Sequence, residues 1–371
     1  MKAVEGDPRH GPDYSAAPFL TIWETTRACD LACIHCRASA QTSRDPSELT
    51  TEEGFRLVDA VRRFGRGLFI LTGGDPLKRP DIAELAAYAV HRGLVTALSP
   101  SGTPLLTRNR LEPIARAGLR VVSISVDGST AAVHDAFRRV PGSFQWSLAG
   151  IRAAKDVGFE VQVNTTVSRY NLADLPAIAE LVRGMRATRW SVFFLVPTGR
   201  GQAGDMVSPA AGERVLHWLY DLSKTAPFHI KTTEAQHYRR VAIEREAAEK
   251  GLTPHEVLAR SRTAGGRFLP GINSGNGLLF ISHRGEIEPS GFLPLPAGNV
   301  RMDDLARVYR DHALFRTLRD PSRLRGRCGV CPYRRVCGGS RARAYAITGD
   351  YLAEDPACPF VPSGSEAPLA A

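Results

Sequence analysis

The sequence predicts an α/β protein, a partial (β/α)6 barrel followed by a small domain held by cysteines rather than by apolar packing. Three observations carry this reading. Six short apolar runs alternate with helix-patterned segments over residues 18–200, the alternation then gives way to helical and irregular patterns, and seven cysteines fall in two groups at opposite ends of the chain. Strand–helix alternation implies parallel strands joined by right-handed crossovers, which curl into a barrel or part of one.

The six runs are Leu20–Trp23, Leu68–Leu71, Val95–Leu98, Val121–Val126, Val161–Val167 and Ser191–Val196. Several are rich in β-branched residues, as strands buried on both faces tend to be. Between them, Thr51–Phe64 and Asp81–His91 place apolar residues at helical spacing, and Thr50–Glu53 and Leu175-Pro176 read as helix starts. Eight such strands would close a full barrel; six predict an open one. Residues 201–275 read as a bridging region, with a loop at Gly199–Gly204 and helices near Gly212–Ser223 and His237–Lys250. From residue 276 to 361, Leu278–Ile281 and Glu286–Glu288 form a hairpin about Arg284-Gly285, followed by an irregular stretch rich in Cys, Arg and Gly. Such a stretch needs a metal centre in place of a core. Residues 1–17 and 362–371 read as tails.

A chain of 371 residues with 43% hydrophobic and 23% charged residues has the composition of an ordinary globular protein and excludes disorder as its main state. No apolar run approaches the roughly 18 residues of a membrane helix, and the polar N-terminus lacks a signal-peptide core. A cytoplasmic location without membrane contact is the expectation. The net charge is +10, and Arg301–Arg343 alone holds twelve arginines against four aspartates. A basic excess of this kind suits an acidic small molecule, nucleic acid or an anionic membrane surface, and equally a solvated surface.

An odd number of cysteines in a chain without secretory features argues for metal chemistry over disulfides. Cys29-x3-Cys33-x2-Cys36 follows the first strand, at the C-terminal mouth where α/β barrels keep their active sites. Three thiolates can hold three irons of a [4Fe–4S] cube and leave the fourth open. Spacing alone also allows a zinc loop with His35 as fourth ligand. Cys328, Cys331, Cys337 and Cys358 supply four thiolates, enough for a fully ligated cluster or a zinc knob.

The first group resembles the signature of the radical S-adenosylmethionine (SAM) enzymes, with His35 in the position that the family gives to an aromatic residue. Gly73-Gly74-Asp75-Pro76, after the second strand, resembles the family's Gly-Gly-Glu-Pro motif, whose backbone receives the methionyl amino group; Asp stands here for Glu. Ser99–Thr103, including Ser101, ends the third strand where relatives contact the ribose. Ser125 and Asp127 end the fourth, with His134, Asp135 and Arg138 downstream, in the pattern of relatives that use a serine and a basic residue near the SAM carboxylate. Asn164 ends the fifth. Taken singly, each of these is also a helix cap or a turn; their recurrence at successive strand ends carries the resemblance. It implies a [4Fe–4S] cluster with an open iron on Cys29, Cys33 and Cys36, and SAM bound by His35, Gly73, Gly74, Asp75, Pro76, Ser101, Ser125, Asp127, Arg138 and Asn164. It further implies cleavage of SAM to methionine and a 5′-deoxyadenosyl radical.

The second group is similar to SPASM and twitch domains, although Arg341 stands where the SPASM pattern has a further cysteine and the upstream pair is missing. This resemblance implies one auxiliary [4Fe–4S] cluster with an electron-transfer role and makes the last segment a small C-terminal iron–sulfur domain. The tail from Cys337 to Cys358, with Phe280–Phe292 and Gly298–Arg301, resembles the radical SAM enzymes of alternative haem and haem d1 synthesis. That similarity implies oxidative chemistry on a carboxylate side chain of a tetrapyrrole. More distant relatives with such tails modify ribosomally made peptides. A flavodoxin or ferredoxin would donate electrons. A non-catalytic iron–sulfur redox sensor or RNA binder would not need the SAM-type strand ends. Within the bridging region, His237, Tyr238, Arg239 and Arg240 are candidate contacts for substrate carboxylates, or else the solvated start of a helix, and Arg200 and Arg267 are similarly placed.

Overall fold

The computed structural model describes residues 13–65, 67–263 and 271–362. Arg267 and the tail segments 1–12 and 363–371 lie outside the described residues. All six expected strands are present: β1 (Leu20–Glu24), β2 (Leu68–Thr72), β3 (Val95–Leu98), β4 (Val121–Ser125), β5 (Glu160–Val167) and β6 (Arg189–Phe194). Each pairs in parallel with the next, in register Leu20↔Leu68, Leu68↔Val95, Ala97↔Val121, Val121↔Glu160 and Gln162↔Arg189.

The helices between them are α1 (Thr51–Arg62), α2 (Ile82–His91), α3 (Arg108–Arg116), α4 (Ala131–Arg138), α5 (Ser143–Asp156) and α6 (Leu175–Gly184). The start of α1 shows how locally the sequence sets these elements. Thr50 Oγ1 accepts from Glu53 N at 3.2 Å, and Glu53 Oε2 accepts from Thr50 N at 2.9 Å, a reciprocal cap. One turn on, Leu57, Val58 and Val61 are buried at i, i+1 and i+4 against the sheet. The core between sheet and helices holds Trp23, Phe69, Leu71, Leu98, Val122, Ile124, Val163 and Trp190, all essentially inaccessible to water.

The sheet extends beyond the six expected strands on both sides. In the bridging region, α7 (Pro209–Leu222) leads into a seventh parallel strand, β7 (His229–Thr233), which pairs with β6 and precedes α8 (Tyr238–Lys250) and α9 (Pro254–Thr263). Its sequence, His-Ile-Lys-Thr-Thr, is no apolar run, because the strand lines a cavity and none of its residues is fully buried. At the other edge, β8 (Asn273–Ser274) and β9 (Gly277–Ile281) come late in the chain, and β9 pairs in parallel with β1 from Leu20↔Leu278 to Trp23↔Ile281. The expected hairpin is formed by β9 and β10 (Glu286–Glu288), with β11 (Gly298–Asn299) outermost. The molecule is thus a mixed α/β partial barrel with a C-terminal extension. That extension continues through α10 (Leu305–Asp311), α11 (Ala313–Leu318), α12 (Gly326–Val330) and α13 (Arg341–Thr348). No helix among the described residues is long and apolar enough to cross a membrane.

Candidate active site

The chain leaves β1 and forms a loop that carries Cys29, Cys33 and Cys36. Backbone bonds clamp this loop: Cys29 N donates to Gln41 O (2.7 Å), Ile34 N to Phe137 O (3.1 Å) and Ala32 N to Arg138 O (3.2 Å). Arg200 clamps it from the far side, its Nε on Cys33 O and its Nη1 on Ala40 O, both at 2.9 Å. Arg200 is therefore a loop clamp. All three thiols face one cavity of about 1040 Å³ inside the barrel mouth. Donors converge on the sulfurs: Leu31 N lies 3.4 Å from Cys29 Sγ, Ala40 N 3.4 Å from Cys36 Sγ, and Arg138 Nη1 3.4 Å from Cys33 Sγ. Burial pushes the Cys29 thiol up to about 11 and raises that of Cys33 against the pull of Arg138. Metal binding would remove those protons outright.

Beside the loop, His35 Nδ1, Arg138 Nε and Arg200 Nη2 are buried without a hydrogen-bond partner among the described residues. The half-buried His35 ring packs on Phe137 at 4.4 Å, and burial together with Arg138 and Arg200 lowers its pKa well below the usual value. No three His, Cys, Asp or Glu side chains among the described residues converge closely enough to hold a single metal ion. A four-iron cube takes its thiolates at separate irons, so its ligands must share a cavity and not a point. The cysteine loop, with its sulfur-directed donors and unsatisfied buried nitrogens, fits such a group.

The strand ends build the wall around the thiols. Gly73 and Gly74 line the cavity through their backbones, and both approach the cysteine loop closely. A Cβ on Gly73 would stand 2.5 Å from Thr26 O, and one on Gly74 2.6 Å from the carbonyls of Arg27 and Ala28. Asp75 and Pro76 stand behind the wall. The Asp75 carboxylate is fully buried, where it accepts from Thr103 Oγ1 (2.7 Å) and Leu77 N (3.1 Å), and burial raises its pKa. It shapes the loop that puts Ser101 into the cavity, with Ser101 Oγ donating to Gly74 O at 2.6 Å and lying 3.4 Å from Cys29 Sγ. Ser125 and Asn164 line the cavity as register neighbours on β4 and β5. Asp127 is fully buried outside it, ion-paired with Arg138 and accepting from Thr166 N at 2.7 Å. It therefore aims the guanidinium that reaches Cys33.

The four bridging candidates divide. Tyr238 and Arg239 line the cavity, whereas His237 and Arg240 do not. His237 is buried, with its ring held neutral at a pKa of about 4 by that burial. Arg240 is paired with Glu213 and Glu244 and lies 4.9 Å over the Phe360 ring. It faces a second, smaller cavity lined by all four C-terminal cysteines together with Arg327, Tyr333, Glu354 and Asp355. There burial pushes Cys337 and Cys358 up to about 12. Arg341, in the position of the missing cysteine, is buried, donates to Ala353 O at 2.6 Å and places Nη2 3.7 Å from Cys328 Sγ. The first turn of α8 thus separates the two cysteine-lined cavities.

Sequence reading missed several residues of this region. Glu24 at the end of β1 is fully buried; against the cost of that burial, Arg37 (3.0 Å), His283 (3.1 Å) and Arg27 (3.2 Å) hold its carboxylate down at about 2. Arg37 then ties the cysteine loop to the late hairpin, lying 4.7 Å over Phe280 and donating to Gly291 O at 3.3 Å. A charged residue ending an apolar strand was the available signal for Glu24. Lys231, on the missed strand β7, also lines the main cavity.

The sequence profile of the Radical SAM superfamily matches residues 23–182, the segment that carries the cysteine loop and the strand ends. An AdoMet-dependent heme synthase of Methanosarcina barkeri is 42% identical over 349 residues, covering 93% of this chain and 97% of that protein. The chain belongs to the radical SAM superfamily. A second AdoMet-dependent heme synthase, of Nitratidesulfovibrio vulgaris, is 43% identical over 361 residues, 95% of this chain and 96% of the other. Among solved structures, Streptococcus suis SuiB bound to S-adenosylmethionine superposes with a TM-score of 0.71 at 16% identity, over 93% of this chain and 78% of that one. A radical SAM enzyme of this fold works with a [4Fe–4S] cluster and SAM.

Proposed function

We propose that this radical SAM enzyme acts on a tetrapyrrole and oxidatively removes the carboxyl group of a side chain, a step of haem-type biosynthesis. The observation that carries the reading is identity above two-fifths with heme synthases over nearly the whole of both chains, well beyond the segment 23–182 that the superfamily profile matches. The cavity supports it. At about 1040 Å³ it sits at the top of the range for ligand pockets, roughly 300–1,000 Å³, and suits SAM with a second ligand. Phe193, Phe280, Phe292 and Val196 give it apolar wall for a flat ring system. Arg37, Arg138, Lys231 and Arg239 face Glu234 as the sole carboxylate among the described lining residues, which suits an anionic ligand.

Cys29, Cys33 and Cys36 would hold the cluster, and the backbones of Gly73 and Gly74 with Ser101, Ser125 and Asn164 would seat SAM. Together these groups supply, when bound and reduced, a 5′-deoxyadenosyl radical. Arg138 steadies Cys33, Asp75 and Asp127 position their neighbours, and the apolar wall excludes water from the reacting carbon. Converting a propionate to a vinyl group releases carbon dioxide, one hydrogen atom and one electron. Cys328, Cys331, Cys337 and Cys358 would hold an auxiliary [4Fe–4S] cluster fitted to receive that electron, with Arg341 and Arg240 stabilising its reduced form. A cytoplasmic flavodoxin or ferredoxin would supply the electron that cleaves SAM.

The test is turnover of anaerobically reconstituted, reduced protein with SAM and an iron porphyrin bearing four propionates. Mass spectrometry should show loss of carbon dioxide plus two hydrogens per side chain, with matching 5′-deoxyadenosine. Conversion of a peptide with the porphyrin left intact would overturn the tetrapyrrole reading.

A further inference from the structure

Strand registers align one row of side chains across half of the barrel: Ser125 opposite Asn164, Asn164 opposite Ser191, and Ser191 opposite Lys231. All four line the cavity. The first two belong to the wall assigned to SAM; the last two stand on β6 and β7, beyond it. Every other cation among the described residues of the cavity wall is engaged. Arg37 is paired with Glu24, Arg138 with Asp127, and Arg239 donates to Val336 O (3.1 Å) and Ile272 O (3.2 Å). Glu234 is likewise occupied, accepting from Ser340 Oγ. Lys231 has neither a hydrogen bond nor a counter-ion among the described residues, and the charges that act on it, Arg189 and Arg239, are both positive.

Its side chain is open to the cavity, yet the surrounding walls thin out water and lower its pKa. An ammonium in such a place calls for an anion. Unpartnered hydroxyls share its cavity wall, Ser191 as its register partner and Thr233 two residues along β7. Ser191 Oγ, Thr233 Oγ1 and Ser274 Oγ lie on the cavity wall, shielded from water and without a partner among the described residues, and Ser191 itself is 0% exposed.

We infer that Lys231, with the hydroxyls of Ser191 and Thr233, anchors a carboxylate of the substrate, and that this carboxylate survives the reaction. Ion pairing lowers the free energy of a carboxylate and so opposes its departure as neutral carbon dioxide. The anchor suits a side chain that is held while another reacts. The inference rests on the tetrapyrrole reading for the ligand's identity, while the charge of the site is independent of it.

Absorbance titration of the reconstituted protein with the four-propionate iron porphyrin and with haem, which keeps two propionates, tests both halves. Lys231→Met should weaken both affinities by roughly 10- to 100-fold, the worth of a charge-assisted hydrogen bond, and Lys231→Arg should restore part of the loss. Equal binding by wild type and Lys231→Met overturns the anchor. A loss for the porphyrin alone, with haem unaffected, overturns the survival of the anchored group. A second measurement is independent of the tetrapyrrole, is read on the wild-type protein, and asks of the variants only that the conservative Lys231→Arg fold. Wild-type lysines are reductively methylated with 13C, the Lys231 resonance is assigned by its absence from Lys231→Arg, and succinate is added. A saturable shift supports the anchor and its absence overturns it. A shift with succinate but no porphyrin binding by wild type overturns the substrate reading and keeps the anchor.

Discussion

Arg343 Nη1 stands 3.1 Å from each carboxylate oxygen of Asp355, and both residues are about 1% exposed. From α13, the same guanidinium donates to carbonyls at the ends of β6 and β7, those of Phe194, Leu195 and Glu234. Asp355 in turn accepts from Ser340 N at 2.8 Å, and its own carbonyl accepts from Cys358 N at 3.1 Å. One buried ion pair therefore fastens the cysteine-bearing tail to the barrel rim.

Removing one partner of such a pair leaves a buried charge uncompensated, at a cost of about 3–5 kcal/mol. Asp355→Asn should lower stability by about 3 kcal/mol in anaerobic denaturant unfolding and should release Cys358. Iron content of the folded variant is then expected to fall by about half.

Two four-iron sites predict about eight irons per chain after anaerobic reconstitution, and about four in a Cys29/Cys33/Cys36→Ala triple variant. Iron and sulfide analysis checks this. About four irons with zinc in the wild type would make the C-terminal site structural and remove the auxiliary electron path.

Gly74→Ala places a methyl group 2.6 Å from two backbone carbonyls that have no flexible end to yield. The strand end must then move off the cysteine loop. The dissociation constant for SAM should rise at least about tenfold, the equivalent of 1.4 kcal/mol, by equilibrium dialysis without oxygen.

Two buried carboxylates near Arg37 give stability opposite dependences on pH. Glu24 is depressed from 4.5 to about 2, so its contribution is complete above 4.5 and fades as pH falls towards 2. Glu288 is raised from 4.5 to about 8 by burial, with Glu24 and Glu286 adding to the effect and Arg37 opposing it. Its contribution is complete below 4.5 and is lost as pH rises to 8. Urea unfolding across pH 4–8 should show the Glu288→Gln variant losing less stability with rising pH than wild type. Coincident profiles would remove the assignment.

The barrel was legible because its first six strands turn β-branched and other apolar side chains into the core, in segments such as Leu-Phe-Ile-Leu and Val-Val-Ser-Ile-Ser. β7 was not legible, since a strand that turns Lys231 and Thr233 towards a cavity has the composition of a loop. The strand-end residues Gly73, Gly74, Ser101, Ser125 and Asn164 were traced through their resemblance in order along the chain, and the structure places all five on one wall. Run-length reading cannot phase the start of a helix. Tyr238, Arg239 and Ala242 share the face of α8 that meets the main cavity, while His237 and Arg240, three apart, share the opposite one. The late hairpin was visible in sequence, but its pairing with β1 was not, because register between distant strands leaves no local mark.

That pairing, Leu20 with Leu278, sets the order in which the molecule can be completed. β1 finds one neighbour, β2, early in synthesis. Its other edge waits until the ribosome has passed residue 281, roughly ten seconds to a minute later at ordinary elongation rates. Through that interval β1 exposes an unpaired apolar edge, the feature that seeds edge-to-edge aggregation. Contacts of such long sequence separation also slow folding. Because Arg37 joins the cysteine loop to this same hairpin, the loop gains its final support only when the late strand arrives. Loading of metal into the first site thus belongs to the finished chain and not to the nascent one, and fragments that stop short of β9 are expected in inclusion bodies.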